Sequence, residues 1–208
     1  MKPISERRSD RKRRALLAAT EVFLEKGYDC TSMDEVTAKA AISKPTLYKY
    51  FFDKERLFAE IVRDSSGEID DLVRLAAEWM AGKRSVESGL IVLARRVIST
   101  LTQPRRLRLR RLVVANAERF PDVGRDWYEQ GFERVLATLA ISLQSLADRK
   151  LLRVNDPLLA ANHFVGMLLW VPIDRAMFTG DSNSSPEELE RYAVAAVRAF
   201  LAGYGPTT

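Results

Sequence analysis

Two helix starts are crowded into the segment between Thr31 and Thr46, and this limits the fold more than any other feature of the chain. Ser32 is followed three residues later by Glu35, the spacing of a capping box in which each side chain satisfies an orphan amide of the first turn. The helix it opens has little room, because Ala40-Ala41-Ile42 leads directly into Ser43-Lys44-Pro45-Thr46. Ser43 suits an N-cap, and Pro45 suits the first turn, where its missing donor would be unpaired anyway. Two short helices joined by about three residues cannot lie antiparallel. They must cross steeply, as in a helix-turn-helix.

The flanking segments agree. From about Asp10 to Lys26, Ala15, Leu16, Ala19, Val22 and Phe23 draw one helical stripe, and Gly27 stands where a left-handed cap belongs. Asp53 opens a longer helix carrying Leu57, Phe58, Ile61 and Val62. Beyond Gly67 the helical period continues through Leu72, Leu75, Ala76 and Trp79 to Gly82. It resumes in Val86–Leu101, Leu107–Ala117, Val123–Leu151, Leu158–Phe178 and Glu187–Ala202. Strand-like alternation and internal repeats are missing, and Gly 10 and Pro 8 are sparse for 208 residues. The expected class is all-α with about nine helices: a basic arm (1–8), a three-helix helix-turn-helix domain (9–69) and a C-terminal helical bundle (70–204).

Charge narrows the partners. The chain carries +5, and residues 1–14 hold seven bases against two acids, so the whole excess lies in this arm. Such an arm reads as a polyanion contact, nucleic acid ahead of a membrane surface, or else as a solvated terminus. One cysteine (Cys30) and one histidine (His163) leave little for a metal cage or a His-based triad. With neither a Gly-rich phosphate loop nor a G-x-S-x-G, the expectation is a protein that is not an enzyme and needs no metal or cofactor. No apolar targeting segment follows the basic arm, and Phe164–Ile173 is too short to span a bilayer, so a cytoplasmic protein without a membrane partner is expected.

The run Thr31-Ser32-Met33-Asp34-Glu35-Val36, then Ser43-Lys44-Pro45-Thr46-Leu47-Tyr48-Lys49-Tyr50-Phe51 and Asp53-Lys54-Glu55, resembles the DNA-binding domain of the TetR/AcrR family of regulators over about residues 9–69. More loosely, Arg108–Gly180, with Ala117-Glu118-Arg119-Phe120-Pro121, resembles the family's AefR-like C-terminal domains. The resemblance implies a dimeric regulator, most often a repressor, that binds a pseudopalindromic operator and leaves it when a small apolar or amphipathic effector enters the C-terminal bundle. An activator of the same fold, and a helical partner-binding protein not acting on DNA, stand as alternatives.

The implied DNA-contacting residues also make physical sense. Lys44 can donate to guanine O6 and N7, and Pro45 and the Thr46 methyl can touch a thymine methyl. Tyr48, Lys49 and Tyr50 have the reach for phosphate, although Tyr50 also reads as a packing residue beside Phe51. Lys54, and Ser32 with Met33, lie at helix N-termini where free amides attract a phosphate. For the effector the candidates are Phe120, Trp127, Tyr128, His163, Met167 and Trp170, although each taken singly reads first as core, and His163 reads also as a polar contact in the dimer seam. For a two-fold helical interface they are Val165, Leu169, Tyr192, Ala196 and Phe200. One departure stands out: the family usually has glycine where this chain has Ala41. A left-handed backbone there would cost an L-residue about 1–2 kcal/mol.

Overall fold

The computed structural model describes residues 4–65, 72, 85–180 and 184–206, with side chains from residue 9 onward. Leu75, Ala76, Trp79 and Gly82, and the side chains of Lys2, Arg7 and Arg8, lie outside the described residues. Every regular element among those described is a helix: α1 (Ile4–Lys26), α2 (Met33–Ala40), α3 (Lys44–Phe51), α4 (Lys54–Asp64), α5 (Val86–Leu101), α6 (Pro104–Asn116), α7 (Pro121–Trp127), a π-helical segment (Tyr128–Glu133), α8 (Arg134–Asp148), α9 (Pro157–Thr179) and α10 (Pro186–Tyr204). They form two compact units, Met1–Ser65 with Arg108–Trp127, and Ser66–Leu107 with Tyr128–Thr208.

In the first unit the stripe of α1 packs on the apolar faces of α2, α3 and α4. The helix starts at Ile4, well before the expected Asp10, since the Arg- and Lys-rich arm consists of good helix formers. It ends at Gly27, whose φ of 77° is left-handed. The core contains an aromatic group in which Phe58 stacks on Phe23 at 5.7 Å and Tyr28 meets Phe120 at 4.7 Å. Phe120 therefore belongs to the core around α4, together with Leu109, Leu112, Val113 and Val123 from α6 and α7. A buried Phe or Leu contributes roughly 1.5–3 kcal/mol, so these distant residues weigh heavily in this unit.

The second unit is a bundle of α5, α8, α9 and α10 around Leu93, Val97, Leu139, Leu143, Phe164, Leu168, Val197 and Phe200. Asp156 caps α9 by accepting from Leu159 N at 3.0 Å, and Pro157 follows in the first turn. Arg95 forks onto Glu190 at 2.7 and 2.5 Å, tying α5 to α10. Arg175 forks onto Glu188 at 2.9 and 3.0 Å, tying α9 to α10.

Two expectations need correction. The helix expected over Val123–Leu151 is interrupted by the π-helical segment Tyr128–Glu133, because one wider turn shifts the apolar stripe by a single residue and leaves the period legible. The stretch Phe164–Ile173 is part of a 23-residue helix that by length and composition alone could cross a membrane. It packs instead as a bundle helix, with Ala160, Ala161, Phe164, Val165, Leu168, Leu169, Pro172 and Ala176 buried along one side.

Candidate nucleic-acid interface

The crossing of α2 and α3 is set by backbone chemistry. Ser32 and Glu35 form the reciprocal capping box, Glu35 N donating to Ser32 Oγ at 3.2 Å and Ser32 N to Glu35 Oε2 at 3.1 Å. At the other end Ala41 is left-handed (φ 52°, ψ 46°), its N–H on the Ala38 carbonyl, while Ile42 N reaches back to the Thr37 carbonyl at 3.2 Å. Ser43 is the N-cap of α3 by backbone conformation, but its hydroxyl pairs with Thr46 Oγ1 at 2.8 Å and makes no cap to an amide. Val36 and Ala40 of α2 and Leu47 and Phe51 of α3 are buried in the core of this unit.

This packing turns the other face of α3 outward. Lys44, Pro45, Tyr48 and Lys49 are exposed, and Thr46 is half-buried. The Lys44 ammonium lies 2.7 Å from Asp34 Oδ1, and that hydrogen bond first, then the carboxylate charge, hold it above its ordinary value. Ser32 is exposed, its hydroxyl engaged by the capping box. Three expected contacts sit elsewhere. Met33 is buried among Val36 and the α1 stripe, since in α2 the first residue falls on the same inner face as Val36 and Ala40. Tyr50 is half-buried, edge-on to Phe51 at 6.1 Å. Lys54 folds back with Nζ 4.4 Å above the Tyr28 ring and donates to the Asp29 carbonyl at 3.2 Å.

Other residues of this surface were not foreseen. Phe52, at the end of α3, has φ 61° and ψ −55°, and Asp53 N bonds the Phe51 carbonyl across it at 2.6 Å. This is the classic γ-turn, a strained conformation for any L-residue. Phe52 is 67% exposed, with the Arg56 guanidinium 4.7 Å above its ring. A groove of about 620 Å³ runs beside it, lined by Lys12, Tyr48, Lys49, Arg56, Glu60 and Arg63 among others. No sequence signal marks Phe52, because strain at that position is a property of the turn and not of the residue.

The residues expected at an effector pocket do not gather in one unit. Phe120 is core of the first unit, with Trp127 packed against it, because α7 lies on α4. Tyr128, His163, Met167 and Trp170 belong to the second unit. Tyr128 is exposed beside Phe132, and His163 is exposed with Nδ1 2.6 Å from Tyr204 Oη. Met167 and Trp170 lie on the outer surface of α9. The expected interface residues are also displaced. Val165, Leu169, Ala196 and Phe200 are buried within the bundle and Tyr192 is half-buried against it, because α9 is apolar on two sides with Val165 and Leu169 on the inner one, and the apolar face of α10 packs into the same core. Its outer side shows Leu158, Leu159, Met167, Val171, Trp170 (72% exposed) and Phe178 (85% exposed).

Comparison with known proteins agrees with this geometry. Residues 15–61 match the model of bacterial regulatory proteins of the tetR family, and residues 88–206 match that of the AefR-like transcriptional repressor C-terminal domain. A Mesorhizobium loti protein described as a TetR-family transcriptional regulator is 48% identical, with a TM-score of 0.91 over 96% of this chain and 98% of that one. The flavonoid-responsive regulator FrrA is 27% identical, with a TM-score of 0.70 over 96% and 100% of the two chains. Among curated relatives, the transcriptional activator FasR of Mycolicibacterium smegmatis is 38% identical over 66 residues, which is 32% of this chain and 29% of FasR. The chain thus spans under a third of the length of the curated relative. The outward polar face of α3, the family models and the full-length likeness together show that this chain belongs to the TetR family of transcriptional regulators.

Proposed function

We propose that the chain is a homodimeric repressor that binds a pseudopalindromic operator and is released from it by an apolar or amphipathic small molecule. The observation that carries this reading is the division of α3 into a buried side, Leu47 and Phe51, and an exposed side, Lys44, Pro45, Tyr48 and Lys49. Such a helix can enter the major groove with its N-terminal residues on base edges, Tyr48 and Lys49 serving the phosphates. Arg11, Lys12, Arg13 and Arg14 on α1 add positive charge to the same unit. The dimer would form through the outer side of α9, whose exposed Trp170 and Phe178 form too large an apolar surface to stay in water. The likeness to FrrA favours an aromatic effector, and such a regulator would act in the cytoplasm. Release is a population shift, so the effector must bind the DNA-free form more tightly. An activating mode on the same DNA is favoured by the likeness to FasR, which is confined to 66 residues.

Selection of duplexes from a random library at two salt concentrations tests the reading. The expected product is an inverted repeat with half-sites about 34–36 Å apart or a multiple of it, and a slope of log K on log salt of about −0.9 per phosphate contact. No enrichment even at low salt, with or without candidate effectors, would overturn it.

A further inference from the structure

Asp34 and Lys44 come from different helices and meet at the N-terminal ends of both. Nζ of Lys44, the first residue of α3, lies 2.7 Å from Oδ1 of Asp34 in the first turn of α2. Both side chains are more than half exposed, so screening leaves the pair little weight in stability. A carboxylate is also poorly placed on a surface that meets phosphates, unless it finds a donor there. In the major groove the donors are the amino groups of cytosine N4 and adenine N6, and guanine O6 and N7 are acceptors.

In a G·C pair, guanine O6 and cytosine N4 are bonded to each other and stand about 2.9 Å apart. An ammonium and a carboxylate 2.7 Å apart match that edge. Nζ donates to O6, and N4 donates to the carboxylate. After its bond to Asp34 the ammonium keeps two donors, enough for O6 and N7 together. On an A·T edge the amine lies between two separate acceptors, so the same unit would gain only one of them.

We propose that Asp34 and Lys44 act as one unit that selects a G·C pair in each half-site, with Asp34 the specificity-determining member. This rests on the reading above that α3 enters the major groove. Asp34 keeps Lys44 from the phosphates and aims it at a base, so its contribution is to discrimination and not to affinity.

The test is random-duplex selection with the full-length wild type, Asp34→Ala, Asp34→Asn and Lys44→Ala, each also followed by thermal unfolding. In Asp34→Ala the preference at one G·C pair should fall by about ten-fold or more. Binding to random duplex should tighten, and the salt slope should steepen by about one contact as Lys44 turns to a phosphate. Asp34→Asn should move the preference at that pair toward A·T, since an amide pairs with adenine N6 and N7. Lys44→Ala should lose the same preference with weaker binding. If Asp34→Ala does not fold, Asp34→Asn carries the test alone. A lowered melting temperature with the selected base unchanged would mean a purely structural pair and overturn the proposal. A wild type that enriches no repeat would overturn the DNA-binding reading itself.

Discussion

Arg119 and Asp29 are ninety residues apart in sequence, yet Nη1 of one donates to Oδ1 of the other at 2.7 Å. The same guanidinium lies 5.1 Å from the ring centres of Tyr28 and Phe120. Residue 119, far from the helix-turn-helix in sequence, thus closes over the aromatic group that supports α4.

Both charged groups are more than half exposed, so the ion pair itself is a weak contributor. The guanidinium over two rings contributes more, about 1 kcal/mol, together with the packing of its stem. Arg119→Ala should therefore lower the melting temperature by a few degrees, whereas Asp29→Asn should change it little. Thermal unfolding of both variants decides this; equal losses would mean that the ion pair carries the contact.

Ala41 and Phe52 both hold positive φ without being glycine. Ala41→Gly removes a left-handed penalty of about 1–2 kcal/mol and costs about 0.5–1 kcal/mol in unfolded-chain entropy, leaving a small net gain in stability. Phe52→Gly relieves a strained γ-turn and loses one exposed ring contact with Arg56, so its melting temperature should also rise. If γ-turn strain is kept for DNA contact, the same variant should bind its selected duplex more weakly. Calorimetry and a binding titration on one preparation read both effects.

Glu35 is held below its ordinary carboxyl value of 4.5, chiefly by the hydrogen bond from Lys26 and next by the Ser32 amide. A carboxyl lowered on folding stabilises fully above its unfolded value, and the contribution disappears as pH falls through the folded one. Wild type should therefore melt higher than Glu35→Gln at pH 7, and the two should converge below about pH 4.5. A gap that does not narrow at all as pH falls below about 4.5 would show that the charge of Glu35 contributes nothing to the cap.

The two sides of α9 should respond differently to substitution. Phe200, fully buried against Phe164 at 5.2 Å between ring centres, should lose about 3–5 kcal/mol as Phe200→Ala and fail by unfolding. Trp170→Glu changes an outer residue, so it should keep the fold and shift the protein toward monomer in sedimentation. A Trp170→Glu protein that remains a dimer would place the interface on another surface.

Caps, breakers and periodicity made much of the first unit readable in advance. Ser32 with Glu35, Pro45, Asp53 and Gly27 each act within a few residues, so their geometry follows from neighbours in sequence. The outward residues of α3 were legible for the same reason: Leu47 and Phe51 fix the inner face of so short a helix, and Lys44, Tyr48 and Lys49 are what remains. Met33 was misplaced because the first residue of a helix can fall on either face until its neighbours are packed.

The order of most helices, the short turn around Ala41 and the polar face of α3 were legible in the sequence alone, because they depend on interactions three or four residues apart. Tertiary structure decided the rest. Phe120 and Arg119 joined the unit around α4, Lys54 turned onto Tyr28, Asp34 met Lys44, and Val165 and Phe200 went inside while Trp170 stayed out. Each of these depends on which of several apolar or charged surfaces finds a partner distant in the chain, and periodicity along a single helix does not contain that choice.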